Sequence, residues 1–404
     1  MFGPHASRPR LLVVSAIGVA QILAFGASYY LPAIIAAPVA ADTGWPLPWV
    51  VGALSLGLLV SGLVSPAIGR LIERSGGRRV LAGSAVLMAA GLALLAGAPS
   101  LPMFLAAWLV MGLAMGAGLY DPAFAALGRL YGDQARGAIT QVTLYGGFAS
   151  TVCWPLSAFL VAQVGWRGTC LAYALIALTV MLPLYLIGLP QEAPRPPALP
   201  AAEAAAPAPS PCGRRSALIV FAMIMTLSSV VTTVVSVHLI TLVQARGLDL
   251  AAAVGLGMLI GPAQVGARVI EATFGRHHHP LWSLLVSMVA VSAGLAMLMG
   301  GAGVMAAGLV LYGGGNGVRS IARGTVPLAL FGREGYAALM GQLAAPALLA
   351  QAASPAIGTV LIAQVGPVAT TLLLCAAAGI NIALCLVLLA IAPVKRIGAA
   401  PPRP

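Results

Sequence analysis

Charge is what this chain has least of. Only 7% of its 404 residues are Asp, Glu, Lys or Arg, and just nine are acids. A soluble domain carries about 25% charged residues. With 60% hydrophobic residues and a mean hydropathy of +1.00, a fold of this length cannot cover itself with polar surface. That excludes a soluble globular protein and leaves an integral membrane protein. Cysteine is scarce as well. Of the five, Cys153, Cys170, Cys375 and Cys385 fall in apolar runs and Cys212 in a proline-rich stretch. No spacing among them forms a zinc site or a disulfide framework, and they read as small buried hydrophobes. Also missing is a Gly-x-x-x-x-Gly-Lys loop, so ATP is not expected as the energy source and no cofactor is expected. Neither His-Glu-x-x-His nor Gly-x-Ser-x-Gly is present, which argues against an intramembrane enzyme. A membrane sensor would carry an added soluble domain, and none is expected. The net charge of +12 raises nucleic acid as a partner. The arginines, however, lie in short loops between apolar runs rather than on one basic face, so no nucleic acid is expected.

What is present is a series of long apolar runs. A membrane helix needs about 20 apolar residues. On that measure the sequence predicts twelve spans: 11–36, 49–69, 80–97, 102–126, 138–162, 168–189, 216–244, 250–272, 281–299, 302–325, 338–364 and 367–392. Residues 80–120 carry no charge, and Gly97-Ala98-Pro99-Ser100-Leu101-Pro102 supplies the turn that divides them. Gly300 to Gly303 and Gly366-Pro367 do the same later in the chain. The run from Leu11 is too long for a signal-peptide core and reads as the first span. Between 190 and 215 eight prolines alternate with alanines. Proline stops helices, so this segment is expected to link an N-terminal six-helix bundle, 1–189, to a C-terminal one, 216–404.

Arginine placement sets the expected orientation. With the N-terminus inside, cytoplasmic segments hold Arg70, Arg74, Arg78, Arg79, Arg129, Arg136, Arg195, Arg214, Arg215, Arg276, Arg333, Lys395 and Arg396. Outer loops hold only Arg167 and Arg246. Both termini and the linker are therefore expected in the cytoplasm, with the protein in a bacterial-type inner membrane as a monomer.

The chain also repeats itself. Gly57, Leu58, Arg70, Ile72, Glu73, Gly77 and Arg78 recur without a gap as Gly255, Leu256, Arg268, Ile270, Glu271, Gly275 and Arg276. Ala162-Gln163-Val164-Gly165 returns as Ala363-Gln364-Val365-Gly366. A duplicated, membrane-embedded unit is the signature of a secondary transporter. Gly112-x-x-x-Gly116 and Gly313-x-x-x-Gly317 occupy equivalent places in the two copies, at a spacing that permits close helix contact.

Gly69-Arg70-Leu71-Ile72-Glu73-Arg74-Ser75-Gly76-Gly77-Arg78-Arg79 joins spans 2 and 3. It resembles the loop signature of the major facilitator superfamily, Gly-x-Leu-x-Asp-Arg-x-Gly-Arg-Arg. Glu73 replaces the Asp, and Gly77 stands where the first Arg of the closing pair is expected. Gly165-Trp166-Arg167 is similar to that superfamily too. The resemblance implies an all-α membrane fold of two six-helix bundles. It also implies alternating access to a small solute, with the lipid bilayer as surroundings and protons as the candidate coupling ion. In the family the acid of this loop latches the halves on the cytoplasmic side, which makes Gly69, Glu73, Arg74, Gly76, Arg78 and Arg79 the expected gating motif. Physically, Glu73 can pair with Arg74 or face the positive N-terminal end of a neighbouring helix.

Spans 1, 4, 7 and 10 line the central cavity in that family. Polar residues near mid-depth here are Gln21, Tyr29, Tyr145, Trp154, Thr232, Thr233, Gln264, Asn316 and Gln351. A charge in the bilayer costs about 2.5–3.5 kcal/mol on insertion scales, so each needs a reason. Arg319 and Arg323 share one face of span 10, and Asp121 falls at the corresponding depth of span 4. They form an anion-attracting vestibule, or else a structural network snorkelling to the headgroups. His238 is either a proton carrier or an ordinary hydrogen-bonding group. His277-His278-His279 read as a solvated loop, and no metal is expected. Two cargo readings stay open. One is efflux of a toxic compound or drug, including arsenicals; the other is transport of a small organic anion, motivated by Arg268, Arg319 and Arg323.

Overall fold

The computed structural model describes residues 9–193 and 211–392, and all regular secondary structure among them is helical. Arg8, Arg195, Lys395, Arg396 and the side chains of Cys212 and Arg276 lie outside the described residues. Helices are numbered here by the turns that separate them. α1 is Arg10–Thr43, α2 Leu47–Ser75, α3 Gly77–Ala96, α4 101–131, α5 135–164 and α6 166–188. α7 is Pro211–Gln244, α8 Leu250–Phe274, α9 Pro280–Met297, α10 Ala302–Phe331, α11 336–365 and α12 367–391. Eight helical stretches are long and apolar enough to cross a membrane. Two of them are compound: Leu101–Gly188 folds back at 132–134 and Gly165, and Tyr336–Ile391 at Gly366. α10, at 30 residues, has the length, with its hydropathy diluted by glycines, Asn316, Arg319 and Arg323. Divided at these turns, the described residues form twelve spans.

The recurring Ala-Gln-Val-Gly segments make the same turn twice. Gly165 sits at φ 70, ψ 178 and Gly366 at φ 82, ψ 164. That region is open essentially to glycine alone, so each repeat ends a span and starts the next without a loop.

Several helices outrun the ends expected from hydropathy. α1 reaches Thr43 rather than 36, because the backbone breaks at Ser28 and restarts at Pro32, whose missing amide costs nothing in a first turn. α2 continues through Ser75, so the first part of the motif is helix and not loop; Gly76, at φ 86 and ψ 159, alone makes the turn. α4 extends to Tyr131, α7 begins at Pro211, and α10 runs to Phe331 through an internal Pro327. Hydropathy marks the part of a helix that sits in hydrocarbon. The hydrogen-bond ladder goes on until a residue stops it.

Packing divides the chain into two units. One takes 1–199 with 332–354, the other 200–331 with 355–404. In the first, the GxxxG of α4 meets α2 backbone to backbone: a Cβ on Gly112 would lie 2.5 Å from the Gly57 carbonyl oxygen. In the second, the equivalent glycines meet α8, with a Cβ on Gly317 only 2.3 Å from the Gln264 carbonyl oxygen. The second unit's core runs through Val234, Val235, Leu295, Leu309 and Tyr312. Outside these cores, large apolar side chains stand exposed, among them Leu63 at 63%, Leu175 at 62% and Phe274 at 66%. Water would not tolerate so many; lipid is the solvent they fit.

Candidate functional site

The motif forms a joint within the first unit. Gly69 on α2 and Gly341 on α11 touch through bare backbone: a Cβ on Gly69 would sit 2.5 Å from the Ala337 carbonyl oxygen and 3.0 Å from Gly341 Cα. This approach aims Glu73, one turn on, at the start of α11, where its Oε2 accepts the Ala337 N–H at 3.2 Å. Of the two partners open to Glu73, the positive end of a helix is the one observed. Arg74 and Arg79 are exposed and Arg78 is half-buried.

Behind the joint lies an ion pair that the sequence reading missed. Arg129 on α4 has a side chain 1% exposed and donates from Nε to Glu192 Oε2 at 2.6 Å. Its Nη1 donates to the Ile72 carbonyl at 2.8 Å and to that of Glu73, and its Nη2 to the Ala193 carbonyl at 2.8 Å. Glu192 Oε1 accepts the Gly77 N–H at 3.1 Å. One arginine thus caps the last carbonyls of α2, and one carboxylate caps the first amide of α3. The expected linker therefore starts with residues that pack. With only nine acids in the chain, a lone Glu just past the sixth span was the available signal.

In the second unit, three predicted residues come together. Thr232 of α7 donates to Asn316 Oδ1 at 2.9 Å and accepts from Arg319 Nη2 at 3.1 Å. Arg319 also donates to Asn316 Oδ1, at 3.0 Å from Nη2 and 3.3 Å from Nε. Asn316 Nδ2 is held in turn by the Tyr312 carbonyl at 3.0 Å. The three line a narrow cavity, with room for about one water, along with Ser228 and Asn381. Asn381 is 3% exposed and donates to Ser228 Oγ at 3.2 Å, and its own Oδ1 has no hydrogen-bond partner. Neither Ser228 nor Asn381 was expected, since a single polar residue in an apolar span reveals nothing of the face it occupies.

The remaining predicted residues make other contacts within their own units. Tyr29 accepts from Gln351 Nε2 at 3.2 Å. It belongs to an aromatic group in the first unit that includes Phe25, Tyr30, Tyr120 and Trp154, with centroids of Phe25 and Tyr120 4.7 Å apart and of Tyr30 and Trp154 6.0 Å apart. Trp154 is exposed. Gln21 is fully buried and donates to the Gly118 carbonyl at 2.7 Å, where α4 breaks at Leu119. Asp121 is buried in the first turn after that break, where the helix dipole favours an acid. Tyr145 shares a hydrogen bond with Ser15 at 3.0 Å. In the second unit His238 donates from Nε2 to the Pro355 carbonyl at 3.1 Å. Thr233 and Arg268 are buried, while Gln264 and Arg323 are half-buried. His279 accepts the Leu281 N–H at 3.3 Å and caps α9. No cluster of three His, Cys, Asp or Glu suited to a metal occurs among the described residues.

The sequence from 17 to 318 matches the family model described as Major Facilitator Superfamily. The chain belongs to the major facilitator superfamily. Its fold is similar to the crystal structure of the human organic anion transporter MFSD10 (TETRAN), with a TM-score of 0.71 over 93% of this chain and 99% of that one, at 16% identity. It is similar as well to the proton:xylose symporter XylE bound to 6-bromo-6-deoxy-D-glucose, with a TM-score of 0.66, 93% and 95% coverage, and 12% identity. At these identities the likeness is one of fold. No curated protein matches the sequence. Superfamily membership makes the chain a multi-pass membrane transporter of small molecules rather than an enzyme.

Proposed function

We propose that this superfamily member moves a small organic anion by alternating access, with the α2–α11 joint as its gate. The observation that carries the anion is Arg319, fixed by Thr232 and Asn316 at the wall of a cavity. The hydrogen bonds to Thr232 and Asn316 hold its positive charge at one place in the wall, where it attracts a carboxylate. Away from bulk water that attraction is many times stronger than at a surface. A second reading, efflux of an apolar toxic compound such as a drug or an arsenical, is favoured by the aromatic group around Tyr29, Tyr30 and Trp154.

Two six-helix halves, 1–189 and 216–404, would do the moving, joined by the 190–215 linker. The arginine asymmetry supports a cytoplasmic linker and termini in a bacterial-type inner membrane. A proton gradient is the expected energy source, with Asp121 and His238 as candidate carriers of the coupled proton and one chain as the working unit. Everted vesicles assayed with organic carboxylates, cationic drugs and arsenite separate the readings. Carboxylate flux lost in Arg319→Gln and partly kept in Arg319→Lys supports the anion. Drug or arsenite flux indifferent to Arg319 transfers the assignment to efflux.

A further inference from the structure

Where α2 passes to α3, Gly76, Arg78, Arg79, Leu186, Gln191 and Glu192 surround a cavity of about 240 Å³. That is many times a water molecule's share of about 30 Å³. The one acid in this wall is already engaged, since both Glu192 oxygens are taken, by the Gly77 amide and by Arg129. The two arginines are not so occupied. Among the described residues neither Arg78 nor Arg79 makes a hydrogen bond or ion pair, and Arg78 Nε is buried with no acceptor. A buried guanidinium N–H without an acceptor is costly, so the geometry calls for an anion here. The first turn of α3 adds its positive end, of which Glu192 takes only the Gly77 amide. The apolar wall comes from Leu186 on α6. The cavity thus lies where α2 ends and α3 begins.

We propose that this cavity binds the phosphate of an anionic phospholipid. Arg78 takes two phosphate oxygens through its planar fork, Arg79 adds a second cation, and Leu186 lies against the glycerol and first methylenes. Basic pockets between helix ends suit such headgroups. The lipid would brace the start of α3 against the segment after α6, beside the residues that set Glu73. This proposal is independent of the cargo assignment.

The test is thermal unfolding of purified protein in mixed micelles. The probes are phosphatidylglycerol, phosphatidylcholine, and inorganic phosphate without added lipid. Phosphatidylglycerol should raise the unfolding temperature by several degrees and the other two should not. Arg78→Gln should lose most of that gain, while Arg215→Gln, an exposed arginine outside the cavity, should keep it. An equal gain from inorganic phosphate would assign the site to a soluble anion and overturn the lipid. An undiminished gain in the Arg78→Gln/Arg79→Gln double variant would overturn the site. Should the variants fail to fold, native mass spectrometry of the wild type decides. Phosphatidylglycerol retained in preference to phosphatidylcholine supports the proposal, and no such retention overturns it.

Discussion

Gly69→Ala puts a single methyl group where the structure leaves no room. The added carbon would stand 2.5 Å from the Ala337 carbonyl oxygen and 3.0 Å from Gly341 Cα, both backbone. Ordinary contact begins near 3.4 Å, so α2 and α11 must part by roughly 1 Å, a gap that forfeits a quarter to a half of each dispersion contact it opens. Overpacking of this kind costs about 1–3 kcal/mol. The same displacement would stretch the 3.2 Å bond from Ala337 N–H to Glu73 beyond useful length. Charged to the conformation with this joint closed, that cost shifts the balance of conformers about 5–150-fold. Gly341→Ala should behave alike, since its Cβ would lie 2.3 Å from the Ser65 carbonyl oxygen. The control is Gly83→Ala on α3, where nothing lies within 4 Å and alanine should be neutral or stabilising by about 0.5–1 kcal/mol. The assay is transport per folded molecule together with alkylation of a single cysteine placed at the joint. Gly69→Ala should slow transport and raise alkylation, and Gly83→Ala should change neither. Identical behaviour of the two variants would refute the close approach as a working part of the gate.

Other expectations follow from the same contacts. Arg129→Gln strands a buried carboxylate and leaves the carbonyls at the end of α2 without a donor, so it should destabilise by about 3–5 kcal/mol, measured by chemical unfolding in detergent. Glu192→Gln should be milder, because the amide still accepts the Gly77 N–H. Gly366→Ala forces a side chain into φ 82, ψ 164 and should cost about 1–3 kcal/mol, read as a lowered unfolding temperature; Gly165→Ala should match it. Thr232→Val removes the hydroxyl that accepts from Arg319 and donates to Asn316. It should weaken binding of an anionic cargo while leaving the amount of folded protein near normal, and isothermal titration on purified variants checks both.

Composition, proline and glycine made the spans legible, because hydropathy and turn residues act locally. The repeat went further: Ala-Gln-Val-Gly at two places folds into the same turn at Gly165 and Gly366. Helix ends were less legible, since α2 carries its ladder past the last apolar residue to Gly76. The cluster of Thr232, Asn316 and Arg319 was readable only as three separate polar residues, and their meeting depends on how α7 packs against α10. Arg129 and Glu192 were invisible as a pair. They lie 63 residues apart, and a proline-rich segment reads as unpacked even where its first residues seal a helix junction. Ser228 and Asn381 escaped for a similar reason, being contributed by helices 153 residues apart.

Flux through purified protein is the most direct measurement. Proteoliposomes should accumulate a labelled organic carboxylate only while a proton gradient is imposed and lose it on adding a protonophore. Glu73→Gln, reconstituted in equal amount, should transport far more slowly, because an amide carries no charge to meet the N-terminus of α11. Accumulation without any gradient, or a Glu73→Gln rate equal to that of the wild type, would contradict this mechanism.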